Sequence, residues 1–177
     1  MLRTTTLAGI AALICGAAAQ AHVVFSRTDA RPGGYYAGAL RVSHGCDGSP
    51  TTAVTVTIPE GVAVAKPQPK PGWSVRIERA PLASPVPGEG GRMLTERVAA
   101  ITWSGRLPED EFDEFGLMLK LPDRAGPLYF PVVQTCEQGR TRWTDVPAPG
   151  QAWHDVPHPA PVLELGTGEG PSGTAHH

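Results

Sequence analysis

Beyond its first twenty or so residues, this chain is interrupted by proline and glycine too often to hold a long helix. Nineteen Pro and 21 Gly punctuate 177 residues, and a proline inside a helix removes a hydrogen bond and clashes with the preceding turn. Between the breaks lie short alternating or β-branched runs. "TTAVTVTIP" puts Val54, Val56 and Ile58 on one face, with Thr55 and Thr57 on the other. "WSVRIERA" groups Trp73, Val75 and Ile77 opposite Arg76 and Glu78, and "FGLMLKLP" groups Phe115, Leu117, Leu119 and Leu121. "RVAAITW", "LYFPVVQTC" and "PVLEL" complete the set, and a further strand is expected to end near His44. Period-two alternation marks half-buried strands. About six to eight such runs with frequent turns predict an all-β fold, an antiparallel β-sandwich of the kind cupredoxins and immunoglobulin-like modules share. Trp73 and Trp103 are expected to fill its core. "PLASPVPGEGGR", Pro81 to Arg92, reads as an exposed loop.

The front of the chain has a different character. Arg3 is followed by an apolar run from Leu7 to Ala19, too short to cross a bilayer as a helix. Ala19-Gln20-Ala21 fits the small-x-small cleavage pattern, so residues 1–21 are expected to be a secretory signal peptide and His22 the first mature residue. Ala17-Ala18-Ala19 also fits, and a cut there leaves Gln20-Ala21-His22 at the terminus. The expected organisation is a leader over 1–21, one domain over 22–165, and a disordered Gly-rich tail over 166–177. The expected location is periplasmic or secreted. Lys and Arg number 15 against 17 Asp and Glu, a net charge of −2. Loss of Arg3 makes it more negative, which argues against a nucleic-acid partner.

Of three cysteines, Cys15 leaves with the leader, and Cys46 and Cys136 remain. In an oxidising compartment a disulfide between them is the default, closing a loop of roughly ninety residues. A thiolate metal site or redox pair is the alternative, but no C-x-x-C spacing supports it.

His22 is the residue with the most distinctive chemistry. At a free terminus its α-amine and imidazole Nδ1 can close a chelate ring on one ion. The amine's ordinary pKa, about 7.7 to 8, lets a metal displace its proton near neutral pH. Nitrogen and oxygen donors in a tetragonal arrangement favour Cu(II). A terminal Gln-Ala-His would also wrap Cu(II), through amide nitrogens. In "RVSHGCDGSP", His44 precedes Cys46, so a disulfide there could hold it as a second imidazole. In "CEQGRTRW", a Cys46–Cys136 bond would bring Trp143 toward His44, where an indole can pack over an ion and exclude water. "PEDEFDEF", Pro108 to Phe115, lacks calcium-loop spacing and reads as a solvated turn before a strand. His154 and His158 lie among prolines, and His176 and His177 end the chain; these late histidines can add only weak copper affinity. No nucleophile elbow, His-Glu-x-x-His pair or Gly-rich phosphate loop is present. Two methionines after the leader, Met93 and Met118, are too few for a thioether-rich Cu(I) site, and a disulfide removes the cysteine that a blue-copper site needs.

These segments together resemble the YcnI-like copper-binding domain, formerly a domain of unknown function. The match runs through "AHV", "RVSHGCDGSPTTAVTVTIPEGV", "KPQPKPGWSV", "ITWSG", "FDEF", "LYFPVVQTCEQGRTRW" and "HPAP", in order and over nearly the whole chain to Leu165. The resemblance implies a β-sandwich outside the cytoplasm that binds Cu(II) through a monohistidine brace, with a nearby tryptophan and a carboxylate. His22 matches the brace residue and Trp143 the tryptophan. Some relatives have a glutamate where this chain reads "SHGC", so His44 is the expected replacement, with Glu137 and Glu114 as alternative carboxylates. The implied role is copper handling, as a metallochaperone or scavenger working with a copper transporter, and not catalysis. Two rivals stand beside it: an oxygen-activating histidine-brace redox enzyme, and a metal-free binding module of the cell envelope.

Overall fold

The Thr–Val alternation of Thr51–Thr57 builds the centre of a five-stranded sheet. The computed structural model describes residues 22–166, so the expected leader and the tail histidines His176 and His177 lie outside the described residues. In chain order the strands are β1 (Val24–Phe25), β2 (Asp29–Ala30), β3 (Tyr35–Val42), β4 (Thr51–Thr57), β5 (Val64–Pro67) and β6 (Ser74–Pro87). Then follow β7 (Met93–Leu107), β8 (Asp113–Lys120), β9 (Gly126–Tyr129), β10 (Val132–Cys136), β11 (Arg140–Trp143) and β12 (Val162–Leu165). Two single-turn 3₁₀ helices, Glu89–Gly91 and Trp153–Asp155, are the helical elements among the described residues. None is long and apolar enough to cross a membrane.

One sheet runs β1-β3-β8-β5 and the other β11-β10-β4-β7-β6, with a small β2-β12-β9 sheet beside them. Every pairing is antiparallel except β12 with β2. This is the expected sandwich. Its core is made by the alternating faces read from the sequence: Val54, Val56 and Ile58 from the β4 segment, and Phe115, Leu117, Leu119 and Leu121 from β8 onward, all buried. Each such side chain contributes on the order of 1.5–3 kcal/mol relative to exposure. Trp103 packs on Phe115 at 5.5 Å between ring centroids and gives its Nε1 proton to the Gln68 carbonyl at 3.2 Å, which satisfies the one polar atom it buries.

Three expectations change. Val75 and Ile77 share a face with their β7 partners Trp103 and Ile101, yet remain 36% and 40% exposed. The reason is position: β6 is the sheet's outer strand, and only the Pro67–Pro71 segment with Trp73 lies against it. Second, Pro81 to Arg92 is not simply a loop. It continues β6 to Pro87 as an exposed ribbon with a register slip between Pro81 and Val86, as proline on an edge strand allows. Third, Trp143 is only 3% exposed and joins the core with Trp103, while Trp73 is partly buried against it.

Candidate metal centre

β1 and β11 are each an edge strand of one of the two main sheets, and the candidate residues gather beside them. His22 enters two residues before β1, and Trp143 ends β11. Their rings meet edge to face at 5.7 Å. His22 also lies 5.2 Å, ring centroid to ring centroid, from Trp153, carried by the second 3₁₀ turn. Trp143 in turn meets His158 at 5.6 Å, again edge to face. One indole therefore carries two imidazoles, one from each end of the domain.

His44 approaches from the loop after β3. The local sequence explains the loop's shape. Asp47 and Gly48 both have positive φ, 47° and 81°, as the two central positions of a type I′ turn require. Cys46 and Ser49 exchange both backbone hydrogen bonds across it, at 3.0 and 2.9 Å. Gly45 is required by contact: a Cβ there would stand 2.0 Å from the Ser49 carbonyl oxygen. The Cys46–Cys136 disulfide is present, with Cα atoms 6.0 Å apart, and ties this turn to the end of β10. A bond of that kind belongs to oxidising compartments outside a reducing cytoplasm.

Gln134 holds the parts in register. It is 1% exposed on β10. Its amide nitrogen donates to the His44 carbonyl at 2.7 Å and to Thr51 Oγ1 at 2.8 Å, and its oxygen accepts the Trp143 Nε1 proton at 3.0 Å. Sequence reading passed over Gln134, although the alternation that turns Val132 and Cys136 inward turns Gln134 inward too. A buried glutamine must find partners, and two of its three here, His44 and Trp143, are residues singled out for binding.

The segment carrying Trp153 and His158 is held without a core of its own. The Asp145 amide donates to the His158 carbonyl at 3.0 Å, and the Ala160 amide to the Asp145 carbonyl at 2.8 Å. Asp145 Oδ2 accepts the His158 amide at 3.0 Å, and Trp153 Nε1 donates to the Ala160 carbonyl at 2.8 Å. Trp153 and the placement of His158 were not anticipated; the clue was the pair of prolines, Pro157 and Pro159, that stiffen the chain about His158.

Electrostatics connect the three imidazoles. Burial holds the His22 pKa below its ordinary value, and His158, then His44, push the same way. A neutral imidazole is the form that binds a metal. The carboxylates suggested by the sequence are committed elsewhere: Glu114 to Arg41 at 2.7 Å and Glu137 to Arg106 at 2.9 Å. Asp113 of the acidic run pairs with Lys70 at 2.5 Å. His154 points into solvent beside Asp155 at 3.7 Å. Among the described residues no group of three or more His, Cys, Asp or Glu side chains is placed to hold a metal ion by itself. The donor set is short by side chains alone, and a main-chain nitrogen at His22 is the group that would lengthen it.

The comparisons agree on the frame. A family model described as a domain of unknown function, DUF1775, matches residues 22–165. A solved structure of an uncharacterized protein from Nocardia farcinica, described as having an immunoglobulin-like fold, matches with a TM-score of 0.61 and 30% identity over 82% of this chain and 99% of that one. No curated protein matches.

Proposed function

The chain belongs to the DUF1775 family, and from that premise we propose that it is a YcnI-like Cu(II)-binding protein of the periplasm or cell exterior. It carries or buffers copper and passes it to another copper-handling protein, and is not an enzyme. The observation that carries this reading is the seating of His22 against both Trp143 and Trp153, with His158 and His44 acting electrostatically on the same ring. The family match starting at residue 22 supports a leader that lies outside the domain. Signal cleavage before His22 turns its backbone nitrogen into an amine. Amine and imidazole then belong to one residue, and a neighbouring imidazole adds a third nitrogen, a set that favours Cu(II) among divalent ions. That supplies the donor which the side chains by themselves lack.

Each chain residue has a definable part. His22 binds. Trp143 closes the floor of the site and, with Trp153, keeps water from one side. Gln134 fixes the Trp143 ring by its indole proton. The disulfide and the Gly45 turn fix the His44 loop. No nucleophile or general base is needed for carriage.

The test compares two forms of the same protein, both beginning at His22, one with a free α-amine and one with that amine acetylated. The first should take up one equivalent of Cu(II) with a nitrogen-rich EPR spectrum. The second keeps every side chain but loses the amine, and should bind far more weakly. Equal affinity and identical spectra would remove the brace. N-terminal sequencing of secreted protein checks the cleavage bond.

A further inference from the structure

We propose that His158, and not His44, supplies the second imidazole of this copper site. The proposal rests on the copper reading above and deepens it by assigning a donor that neither the sequence pattern nor the family match assigns.

Three observations support it. The His158 and His22 rings meet the same Trp143 indole at 5.6 and 5.7 Å, with interplanar angles of 65° and 66°. Both imidazoles therefore border the same indole, and an ion held by His22 would sit beside the ring that His158 also touches. Next, the His158 backbone is fixed. Its amide and carbonyl are both bonded to Asp145, and prolines flank it. A donor held this way loses little freedom on binding. Third, the His158 ring is exposed and takes no part in the core, so it can turn a nitrogen to an incoming ion without repacking.

His44 is differently engaged. Its carbonyl is taken by Gln134, and its Nδ1 lies against the Gly45 carbonyl within its own loop. That arrangement serves the turn leading to the disulfide. The resulting donor set is the His22 amine, the His22 imidazole and the His158 imidazole. It joins the first residue of the domain to the strap before β12, so copper would clamp the strap to the sheet edge.

The experiment uses mature protein beginning at His22, loaded with one equivalent of CuSO4, and reads pulsed EPR, in which the remote nitrogen of each bound imidazole gives its own modulation. Wild type should show two imidazoles. His158→Ala should show one, and its Cu(II) affinity in chelator competition should fall by about tenfold or more, since losing even an outer partner of a metal ligand costs about 10–100-fold. His158→Gln, which preserves side-chain bulk in the strap, should behave the same way. His44→Ala should keep both imidazoles. Two imidazoles retained in His158→Ala, or one lost in His44→Ala, overturns the assignment and leaves the copper reading intact. Wild type that takes up no stoichiometric copper overturns the copper reading and this assignment with it.

Discussion

Gln134→Leu is the substitution whose cost follows most directly from the structure. Leucine has nearly the volume of glutamine and fills the space, so packing changes little. What changes is hydrogen bonding. The Trp143 indole proton, the His44 carbonyl and the Thr51 hydroxyl each lose the Gln134 partner at 3.0, 2.7 and 2.8 Å. Thr51 is fully buried and Trp143 is 3% exposed, so water cannot easily replace it. A buried polar group left without a partner costs about 1–3 kcal/mol. Three such losses, less the relief of no longer burying the Gln amide, come to about 3–5 kcal/mol. Urea unfolding of the oxidised, metal-free protein should show the midpoint falling with the slope unchanged. Gln134→Glu is the companion: it keeps the acceptor for Trp143 but replaces the donor facing the His44 carbonyl with an oxygen. It should be at least as damaging at neutral pH. A loss below about 1 kcal/mol for Gln134→Leu would mean that water reaches these groups and that Gln134 does not organise the site.

Replacing both Cys46 and Cys136 with alanine opens a loop spanning 90 residues; the chain-entropy account predicts a loss of about 4–5 kcal/mol, readable by the same unfolding assay. Tyr36 is raised to about 12, chiefly by burial, against the charge of Arg27 and a hydrogen bond to the Arg27 carbonyl. The unfolded tyrosine ionises near 10 while the folded one keeps its proton. Its stabilising contribution is therefore intact below about pH 10 and is lost between there and about 12, where absorbance titration should find one late phenol. His22 is shifted the other way. The unfolded state takes up a proton first as pH falls below about 6.5, so metal-free protein should lose stability below that point, and NMR titration should place the His22 midpoint lower than an ordinary imidazole. A His22 midpoint at or above the ordinary value would show that burial and the neighbouring imidazoles do not disfavour its proton.

The sandwich was legible because its central strands obey one rule. β4 and β8 are covered on one face along their length, so alternation alone identifies Val54, Val56, Phe115 and Leu119 as core. The same rule misjudged β6, because alternation reports which face a residue shares and not whether anything lies opposite. Val75 and Ile77 point inward at an edge that the facing sheet covers only with a proline segment. Pro81 to Arg92 was read from its turn residues, and the long pairing partner β7 drew most of it into a ribbon instead.

The site was less legible, for a reason of topology. His22, His44, Gln134, Trp143 and His158 come from five separate segments, and no spacing rule links them. The disulfide gave one long-range constraint, enough to bring the His44 turn toward β10 and the hairpin bearing Trp143. Nothing comparable announced the strap. Its attachment runs through the Asp145 backbone and carboxylate, groups that any loop possesses. Yet the strap changes the chemistry available. With His22, Trp143 and His44 alone, the tryptophan would be a cover over one imidazole. In the proposed site His158 meets the same indole, and the tryptophan would space two imidazoles. In the proposed copper site the sheets supply only a rigid edge, and the donors would come from the terminus and from the strap beside it.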